Sequence, residues 1–377
     1  MKAKIRGGAA TGVAGLLESA VRAGLAPGLV ALAVRAGGGG LSWFVGRRAV
    51  GDGALDADTL FDLASLTKPL ATTTLLLLAR RDGIGLETRL GDLLPELARS
   101  PWRSVTVIQC ASHTAGFPAW EPLYASGSGP AAYLEALAGL QPIAAPGERC
   151  VYSCPGFIAL GLALERAAGT DIATLFRELV TVPLGLADEL LFAPPAGTPV
   201  AGGQREPFVE RRLLAERGIV AALPPAAPGT VPCDDGNTRG LGGAAGNAGL
   251  FGTAAAVAAL ASEYLPGGGE LVTGEEASLA TAAFTPGLEQ LRGIGWQLAA
   301  TPGCSAGPAL AGSSFGHTGF SGTSAWVDAE AGAVLVLLAN RLHPGGRTPD
   351  LHPLRRRFHA LAVAALRETA PTATISR

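Results

Sequence analysis

The first apolar pattern in the chain is helical. Val13, Leu16, Leu17 and Val21 are spaced by one, three and four residues and precede a break at Gly24, as in an amphipathic helix. The pattern then changes, because two runs rich in β-formers, residues 28–36 and 41–50, are separated by a stretch of glycines. That arrangement predicts an antiparallel hairpin after the first helix.

Helical segments joined by Gly/Pro loops occupy the middle of the chain. The helices are predicted at residues 70–81, 156–168, 171–179 and 254–264. Strand character returns towards the end, at residues 294–299, 314–317, 323–328 and 333–340, before a closing helix at about 351–367. Residues 202–246 show little regular pattern, and a loop of that length predicts the border of a site.

The two ends of the chain therefore predict one sheet. We expect an α+β fold in which N- and C-terminal segments build an antiparallel sheet flanked by helices, with a large, mainly helical insertion. The expected sheet domain comprises residues 1–68 and 292–377, and the expected helical domain comprises residues 69–291. A site at the interface of the two is the corresponding prediction.

Composition excludes some classes of function. The chain has 377 residues with a formal net charge of −2, so no excess positive charge favours a nucleic acid. Its uncharged stretches are interrupted by glycine, proline or hydroxyl residues, which argues against a membrane span. Met1 to Arg6 carries three positive charges, but the Gly/Ala-rich residues after it match a signal peptide only weakly. The default expectation is a cytoplasmic protein.

The metal-ligating residue types are scattered. The five cysteines and five histidines lack the paired spacing of a zinc site, and no phosphate-binding loop is present. The sequence therefore predicts no metal and no cofactor. Free thiols are the expected state of the cysteines.

Ser65 and Lys68 carry the clearest chemical signal. They lie three residues apart in the run Phe61–Pro69 (FDLASLTKP), so on a helix they share one face and the amine can reach the hydroxyl. Pro69 is typical of a first helical turn, which places Ser65 at a helix N-terminus. There its backbone amide and the helix dipole would favour a developing oxyanion.

The use of lysine strengthens this interpretation. The chain has only Lys2, Lys4 and Lys68, against 26 arginines. Arginine stays protonated, whereas a desolvated lysine can lose its proton and act as a base. An ordinary N-cap serine beside a surface lysine is the alternative, but the retained lysine favours a catalytic role for Lys68.

Three further motifs occur in order along the chain. They are Ser112–Pro118 (SHTAGFP), Pro146–Phe157 (PGERCVYSCPGF) and Gly316–Gly322 (GHTGFSG). With the Ser65 motif, they resemble the serine β-lactamase and penicillin-binding-protein superfamily, in particular class C-like enzymes and esterases of the same fold. The resemblance covers most of the chain.

The resemblance implies roles for individual residues. Tyr152 matches the family's catalytic tyrosine, and His317, Thr318 and Gly319 match its Lys-Thr-Gly strand triplet. The backbone amide of Phe320 would then complete an oxyanion hole with that of Ser65. Ser65 would attack an acyl substrate while Tyr152 and Lys68 move the proton, and which of the two is the main base stays open.

Two departures from the family pattern bear on the substrate. His317 replaces a lysine and is mostly neutral at pH 7, so recognition of a substrate carboxylate should be weak. Cys154 replaces an asparagine and lacks its amide donor and acceptor. Both changes favour a carboxylesterase acting on small acyl esters.

Other functions stay open. A β-lactamase or D-alanyl-D-alanine carboxypeptidase is the alternative within enzymes, and a non-catalytic ligand-binding or sensor protein is the alternative outside them. Asp235, Asn237 and Asn247 lie in a glycine-rich loop and receive no firm role. Arg341 is interpreted as solvating a strand end rather than facing the site.

Overall fold

The computed structural model describes residues 8–204 and 207–369 of the chain. In the described part the helices are α1 (Gly8–Arg22), α2 (Thr74–Arg81), α3 (Leu90–Leu93), α4 (Val107–Ala111), α5 (Gly129–Gly139), α6 (Cys154–Ala168), α7 (Ile172–Phe176), α8 (Phe208–Glu216), α9 (Gly236–Gly240), α10 (Ala254–Ser262), α11 (Gly274–Ala280) and α12 (His352–Glu368). The strands are β1 (Gly28–Arg35), β2 (Gly40–Gly46), β3 (Phe61–Asp62), β4 (Leu190–Phe192), β5 (Leu250–Gly252), β6 (Gln297–Leu298), β7 (Phe315–Thr318), β8 (Ser324–Asp328) and β9 (Ala333–Ala339).

The main sheet joins the two ends of the chain. Its strand order is β2-β1-β9-β8-β7-β6, and every neighbouring pair is antiparallel. The N-terminal hairpin is closed onto the C-terminal strands where Leu29 pairs with Ala339 and Arg35 with Ala333. This topology confirms the predicted α+β fold class, while the exact domain boundaries stay a prediction.

Strand β9 lies at the centre of the protein, with every residue buried. Because side chains alternate across a strand, Leu335 and Leu337 face the core formed with α1 and α12, whereas Val334 and Val336 face the core shared with α10 and the middle of the chain. A strand buried on both faces has a continuous apolar run in its sequence. The sheet is thus a rigid support between two layers of helices.

The structure departs from the sequence pattern in three places. The predicted strand at 294–299 shortens to Gln297–Leu298, because the chain turns at Gly295, whose φ is +72°. A small sheet of order β3-β5-β4 was not predicted, since strands of two or three residues leave no periodicity. The segment 202–246 contains the helices α8 and α9, where only a loop was expected.

Two features of the sequence bear on export and on membrane insertion. Met1–Arg6, with its three positive charges, lies outside the described residues. Within residues 8–204 and 207–369, each helix is too short or too polar to cross a lipid bilayer.

Candidate active site

Ser65 lies in a tight turn at the start of a helix. The turn, Ala64–Leu66, is 3₁₀-helical and leads into one π-helical stretch, Lys68–Thr73, before α2 begins. Ala64 has a φ of +47°, a left-handed conformation that is strained for a residue with a side chain. The carboxylate of Asp62 holds this conformation by accepting a 2.8 Å hydrogen bond from the amide of Ala64. The predicted helix N-terminus is therefore present, with a wider first turn.

Three predicted residues meet at one oxygen atom. The hydroxyl of Tyr152 donates a 2.6 Å hydrogen bond to Ser65 Oγ, and Lys68 Nζ lies 3.2 Å from the same oxygen. Lys68 Nζ also lies 4.9 Å from the centre of the Tyr152 ring. Tyr152 is 87 residues away from Ser65 in sequence, so the fold brings together residues that belong to separate motifs.

Tyr152 is held in place through its two neighbours. The amide of Val151 donates to the carbonyl of His113, and the amide of Ser153 donates to His113 Nδ1 at 3.1 Å. Ser153 also caps α6 by accepting from the amide of Gly156, and its hydroxyl donates to the carbonyl of Pro118. Residues 112–118 thus fix the position of Tyr152, because they hydrogen-bond to the residues on both sides of it.

Lys68 is fully buried, with an exposed fraction of 0%. Besides Ser65, its ammonium group lies 2.9 Å from the carbonyl oxygen of Asn247 and 3.6 Å from Cys154 Sγ. Burial lowers the pKa of Lys68, but the acidic groups of Cys154 and Tyr152 beside it outweigh burial, and the pKa lies above its ordinary value. The net direction favours the ammonium form of Lys68, and the choice between Lys68 and Tyr152 as the main base stays a prediction.

The approach of Asn247 to Lys68 depends on two glycines. A β-carbon at Gly246 would lie 2.1 Å from the carbonyl oxygen of Phe157 in α6, and 2.9 Å from the amide nitrogen of Gly161. Only a residue without a side chain allows this contact. The close packing brings the Asn247 carbonyl onto Lys68, while the carbonyl of Gly246 accepts a 2.7 Å hydrogen bond from Thr72.

The acidic groups around the amine stay protonated near neutral pH. Burial raises the pKa of Tyr152, and the positive charge of Lys68 opposes that rise. Burial likewise raises the pKa of the Cys154 thiol against the influence of Lys68. Burial thus favours the neutral forms of this phenol and this thiol, and Lys68 opposes burial in both cases.

The turn after β7 is fastened to the chain segment just before Ser65. The hydroxyl of Ser321 donates to the carbonyl of Asp62 at 2.6 Å, and the hydroxyl of Thr323 donates to the carbonyl of Leu63 at 3.0 Å. Phe320, next to Ser321, is 45% exposed. These contacts bring the predicted triplet, which ends at Gly319, alongside the Ser65 turn.

His317 is buried on β7, and its ring centre lies 5.8 Å from that of Tyr152. Its Nδ1 makes a 2.8 Å hydrogen bond with the carbonyl of Thr318, so the proton resides on Nδ1. Burial, together with the charges of Arg292 and Lys68, holds the pKa of His317 well below its ordinary value. The imidazole is thus neutral, as the sequence predicts.

Some contacts to the site were not found from the sequence. Asn247 reaches Lys68 through a backbone carbonyl, which carries no signal in residue type. The guanidinium of Arg292 lies 5.6 Å from the centre of the Tyr152 ring, and its one signal in the sequence was a charge at the start of an apolar run. Arg341 donates to the carbonyl of Phe320 at 2.9 Å. It therefore contacts the turn after β7, whereas the sequence was interpreted as placing it in solvent at a strand end.

The two other loop residues without an assigned role have structural contacts. Asp235 caps α9 by accepting from the amide of Thr238, and Asn237 bonds to the backbone of Leu123 and Glu121. In the described part of the chain, no group of three or more His, Cys, Asp or Glu side chains is arranged to hold a metal ion. All five cysteines are free thiols.

Comparison with known proteins gives a family. A model of the beta-lactamase family matches residues 16–360. A putative D-alanyl-D-alanine carboxypeptidase of Escherichia coli K12 is 25% identical over 324 residues, which cover 78% of this chain and 72% of the relative. The family match spans all the motifs described above.

Solved structures show the same fold. A penicillin-binding-protein homologue from Caulobacter crescentus matches with a TM-score of 0.73 and 22% identity, covering 96% of this chain and 99% of that one. A family VIII carboxylesterase matches with a TM-score of 0.71 and 20% identity, with the same coverage. Since the family model and the fold agree over nearly the whole length, the chain belongs to the beta-lactamase family and is a serine hydrolase.

Proposed function

We propose that this protein is a carboxylesterase that hydrolyses small, largely neutral acyl esters through an acyl-enzyme on Ser65. The contact that carries the proposal is the meeting of Tyr152 and Lys68 at Ser65 Oγ, at 2.6 and 3.2 Å. A serine hydroxyl is a weak nucleophile near pH 7 and needs a neighbouring group that takes its proton.

The arrangement divides the work between the two partners. In this proposal Lys68, whose pKa lies above its ordinary value, acts as a positive charge, and Tyr152, whose hydroxyl contacts Ser65 Oγ, is the group that takes and returns the proton. Tyr152 first releases its phenolic proton to solvent. Ser65 Oγ then bonds to the acyl carbon as the serine proton passes to the Tyr152 oxygen and the carbonyl oxygen becomes an oxyanion. The C–O bond to the alcohol then breaks, and the alcohol oxygen receives that proton. Water adds to the acyl-enzyme by the same path, which releases the acid and restores Ser65.

The oxyanion of each tetrahedral intermediate needs donors that are already in position. The amides of Ser65 and Phe320 are the proposed pair. The hydroxyls of Ser321 and Thr323, in the turn after β7, hydrogen-bond to the segment just before Ser65 and so hold the two amides close together. Preorganised backbone donors of this kind are worth about 10²- to 10³-fold in kcat each.

The substrate preference follows from positions 317 and 154. A neutral imidazole at 317, with its Nδ1 engaged by Thr318, offers no charge to a substrate carboxylate. Cys154 carries a thiol where an amide would bind the acylamino side chain of a β-lactam or acyl-D-alanine substrate. The carboxylesterase of the same fold supports an ester substrate, whereas the carboxypeptidase relative supports the alternative.

The test compares esters with a β-lactam. Hydrolysis of p-nitrophenyl acetate and butyrate is measured for the wild type, Ser65→Ala and the control Ser278→Ala, whose exposed hydroxyl bonds only to its own helix. Nitrocefin is run under the same conditions. We expect ester turnover that is lost in Ser65→Ala, kept in Ser278→Ala and much faster than nitrocefin turnover.

Each other outcome contradicts a defined part of the proposal. Nitrocefin turnover comparable with ester turnover would contradict the substrate class and favour a β-lactamase. Ester turnover that is equal in the wild type and Ser65→Ala, or absent from both, would contradict the role of Ser65 and favour a binding protein of this fold.

A further inference from the structure

Arg292 is a buried cation without a charged partner. It is 4% exposed, and its Nε and Nη2 both donate to the side-chain oxygen of Gln290, at 3.0 and 2.5 Å. Its Nη1 is buried with no hydrogen-bond partner. No ion pair to it is formed by any carboxylate in the described part of the chain. A buried charge that lacks a partner destabilises a fold, so this residue needs an explanation.

The guanidinium faces the candidate active site. Its central carbon lies 5.6 Å from the centre of the Tyr152 ring, and the ammonium of Lys68 lies 4.9 Å from the same centre. Two buried positive charges therefore flank one partly buried phenol. Buried charges interact more strongly than charges at the surface, because the effective dielectric constant is lower.

Arg292 lies in the segment next to the edge strand of the main sheet. Arg292 forms a bridge with Gln297, and Gln297 pairs with Gly316, the residue before His317. The family resemblance puts a lysine at position 317, where this chain has a neutral imidazole. The positive charge missing from β7 is thus present in the segment that pairs with the edge of the same sheet.

We propose that Arg292 is a positioning residue for the reaction at Ser65, whose permanent positive charge favours the deprotonated form of Tyr152 in place of a cation at position 317. The inference rests on the proposed function, since it concerns the group that takes the proton from Ser65. Arginine suits the task because its guanidinium stays charged even when buried.

The other groups around Tyr152 supply little charge of their own. Burial holds the pKa of His113 and His317 well below the ordinary value, with Arg292 and Lys68 adding to the effect. Burial raises the pKa of the Cys150 and Cys154 thiols. Further groups that interact with this cluster are Asp235, Cys304 and Arg355. Among the described residues, Lys68 and Arg292 are accordingly the cations that contact the Tyr152 ring.

The first measurement is the pH profile of kcat/KM for p-nitrophenyl butyrate. In Arg292→Gln we expect the rising limb to move up by about one pH unit, with kcat/KM about tenfold lower at pH 7, since one pKa unit is a factor of ten. Arg292→Lys should restore most of the loss. Arg81→Gln is the matched control, because Arg81 pairs with Glu276 on α11 and makes none of these contacts.

Gln290→Glu separates charge from folding. The new carboxylate would pair with the guanidinium that Gln290 already contacts, so it satisfies Arg292 while cancelling part of its field. We expect a melting temperature at least as high as that of the wild type, together with kcat/KM about threefold or more lower at pH 7. A purely structural role for Arg292 predicts no loss of activity in this variant, so the test holds even if Arg292→Gln does not fold.

A spectroscopic titration tests the phenol without turnover. The ultraviolet signal of Tyr152 is isolated by subtracting Tyr152→Phe, and burial raises the pKa of Tyr124, Tyr133 and Tyr264 strongly. In Gln290→Glu the Tyr152 signal should move to higher pH. An unmoved signal and an unmoved limb would overturn the inference, whereas absence of Ser65-dependent turnover with a shifted signal would overturn only the proposed function.

Discussion

Gly319 lies directly against the carbonyl oxygen of Leu63. A β-carbon on Gly319 would be 2.4 Å from that oxygen and 2.0 Å from the hydroxyl of Thr323. Leu63 is two residues before Ser65, and Phe320 is the residue after Gly319, so this contact sets the spacing between the two amides proposed to bind the oxyanion. The third residue of the His-Thr-Gly triplet is a glycine because nothing larger fits between the two segments.

Gly319→Ala tests that spacing. The methyl group would push the turn away from Ser65, because the Leu63 carbonyl in its way is backbone rather than a movable side chain. We expect kcat for p-nitrophenyl butyrate to fall by about 10²- to 10³-fold, the loss of one oxyanion donor. Steady-state kinetics on the folded variant measure the effect.

Gly312→Ala is the matched control, since a β-carbon there has no atom within 4 Å. It should keep wild-type kcat. A Gly319→Ala variant that folds and retains more than half of the wild-type kcat would contradict the proposed position of the oxyanion hole.

Tyr152→Phe tests the path of the proton. The variant removes only the hydroxyl that donates to Ser65 Oγ, and a positioned proton-transfer group contributes about 10²- to 10⁴-fold. We expect a loss of kcat in that range with little change in KM. Rapid acid quench would show that formation of the acyl-enzyme is slowed.

Tyr264→Phe provides the comparison. Its hydroxyl is also buried and hydrogen-bonded, at 2.7 Å to Thr74, but it lies outside the site. That variant should lose about 1 kcal/mol of stability and keep its turnover. Equal effects of the two variants on kcat would mean that Tyr152 acts through packing.

The sequence predicted the fold class and the residues at the centre of the site, because both leave a local signal. Strand and helix periodicity survive in β1, β9 and α12, and Ser65 and Lys68 belong to one contiguous motif. Contacts made by backbone atoms leave no such signal, as the carbonyl of Asn247 shows. The direction of the Lys68 pKa shift could not be predicted either, because it depends on Cys154 and Tyr152, which only the fold brings next to the amine.

His317→Lys combined with Cys154→Asn tests the basis of substrate choice. The double variant restores a cation and an amide where the family resemblance places them, so binding of a β-lactam carboxylate and acylamino group should improve. We expect kcat/KM for nitrocefin to rise about tenfold or more, roughly one charge-assisted hydrogen bond. Initial rates with nitrocefin measure the change.

His352→Lys makes the same charge change at the exposed first residue of α12 and should leave nitrocefin turnover unaltered. If the double variant also shows no change, positions 317 and 154 do not determine specificity. His317 and Cys154 then no longer support an ester substrate.

Two neighbouring carboxyl groups beneath the Ser65 turn, the buried Asp62 and the partly buried Asp234, predict a pH-dependent stability. Asp62 Oδ2 accepts a 2.7 Å hydrogen bond from the amide of Asp234. Burial raises the pKa of Asp62 to about 6, and burial together with Asp62 raises the pKa of Asp234 to about 8. Asp234 Oδ1 accepts a 3.1 Å hydrogen bond from the amide of Gln204, whereas Oδ2 has no hydrogen-bond partner, so the charge of this carboxylate is only half satisfied.

Asp234→Asn should therefore stabilise the protein at alkaline pH. An acid whose pKa is raised by folding contributes stability below its unfolded pKa, here 3.8, and loses that contribution as pH rises towards about 8. The asparagine does not ionise, so the difference in unfolding free energy between variant and wild type should grow in its favour from pH 4 to pH 8, by up to about 1.4 kcal/mol per pH unit. Urea unfolding at several pH values measures it. Asp188→Asn, at an exposed position, should show a flat difference, and an equally flat result for Asp234→Asn would mean that this carboxyl ionises freely in the folded protein.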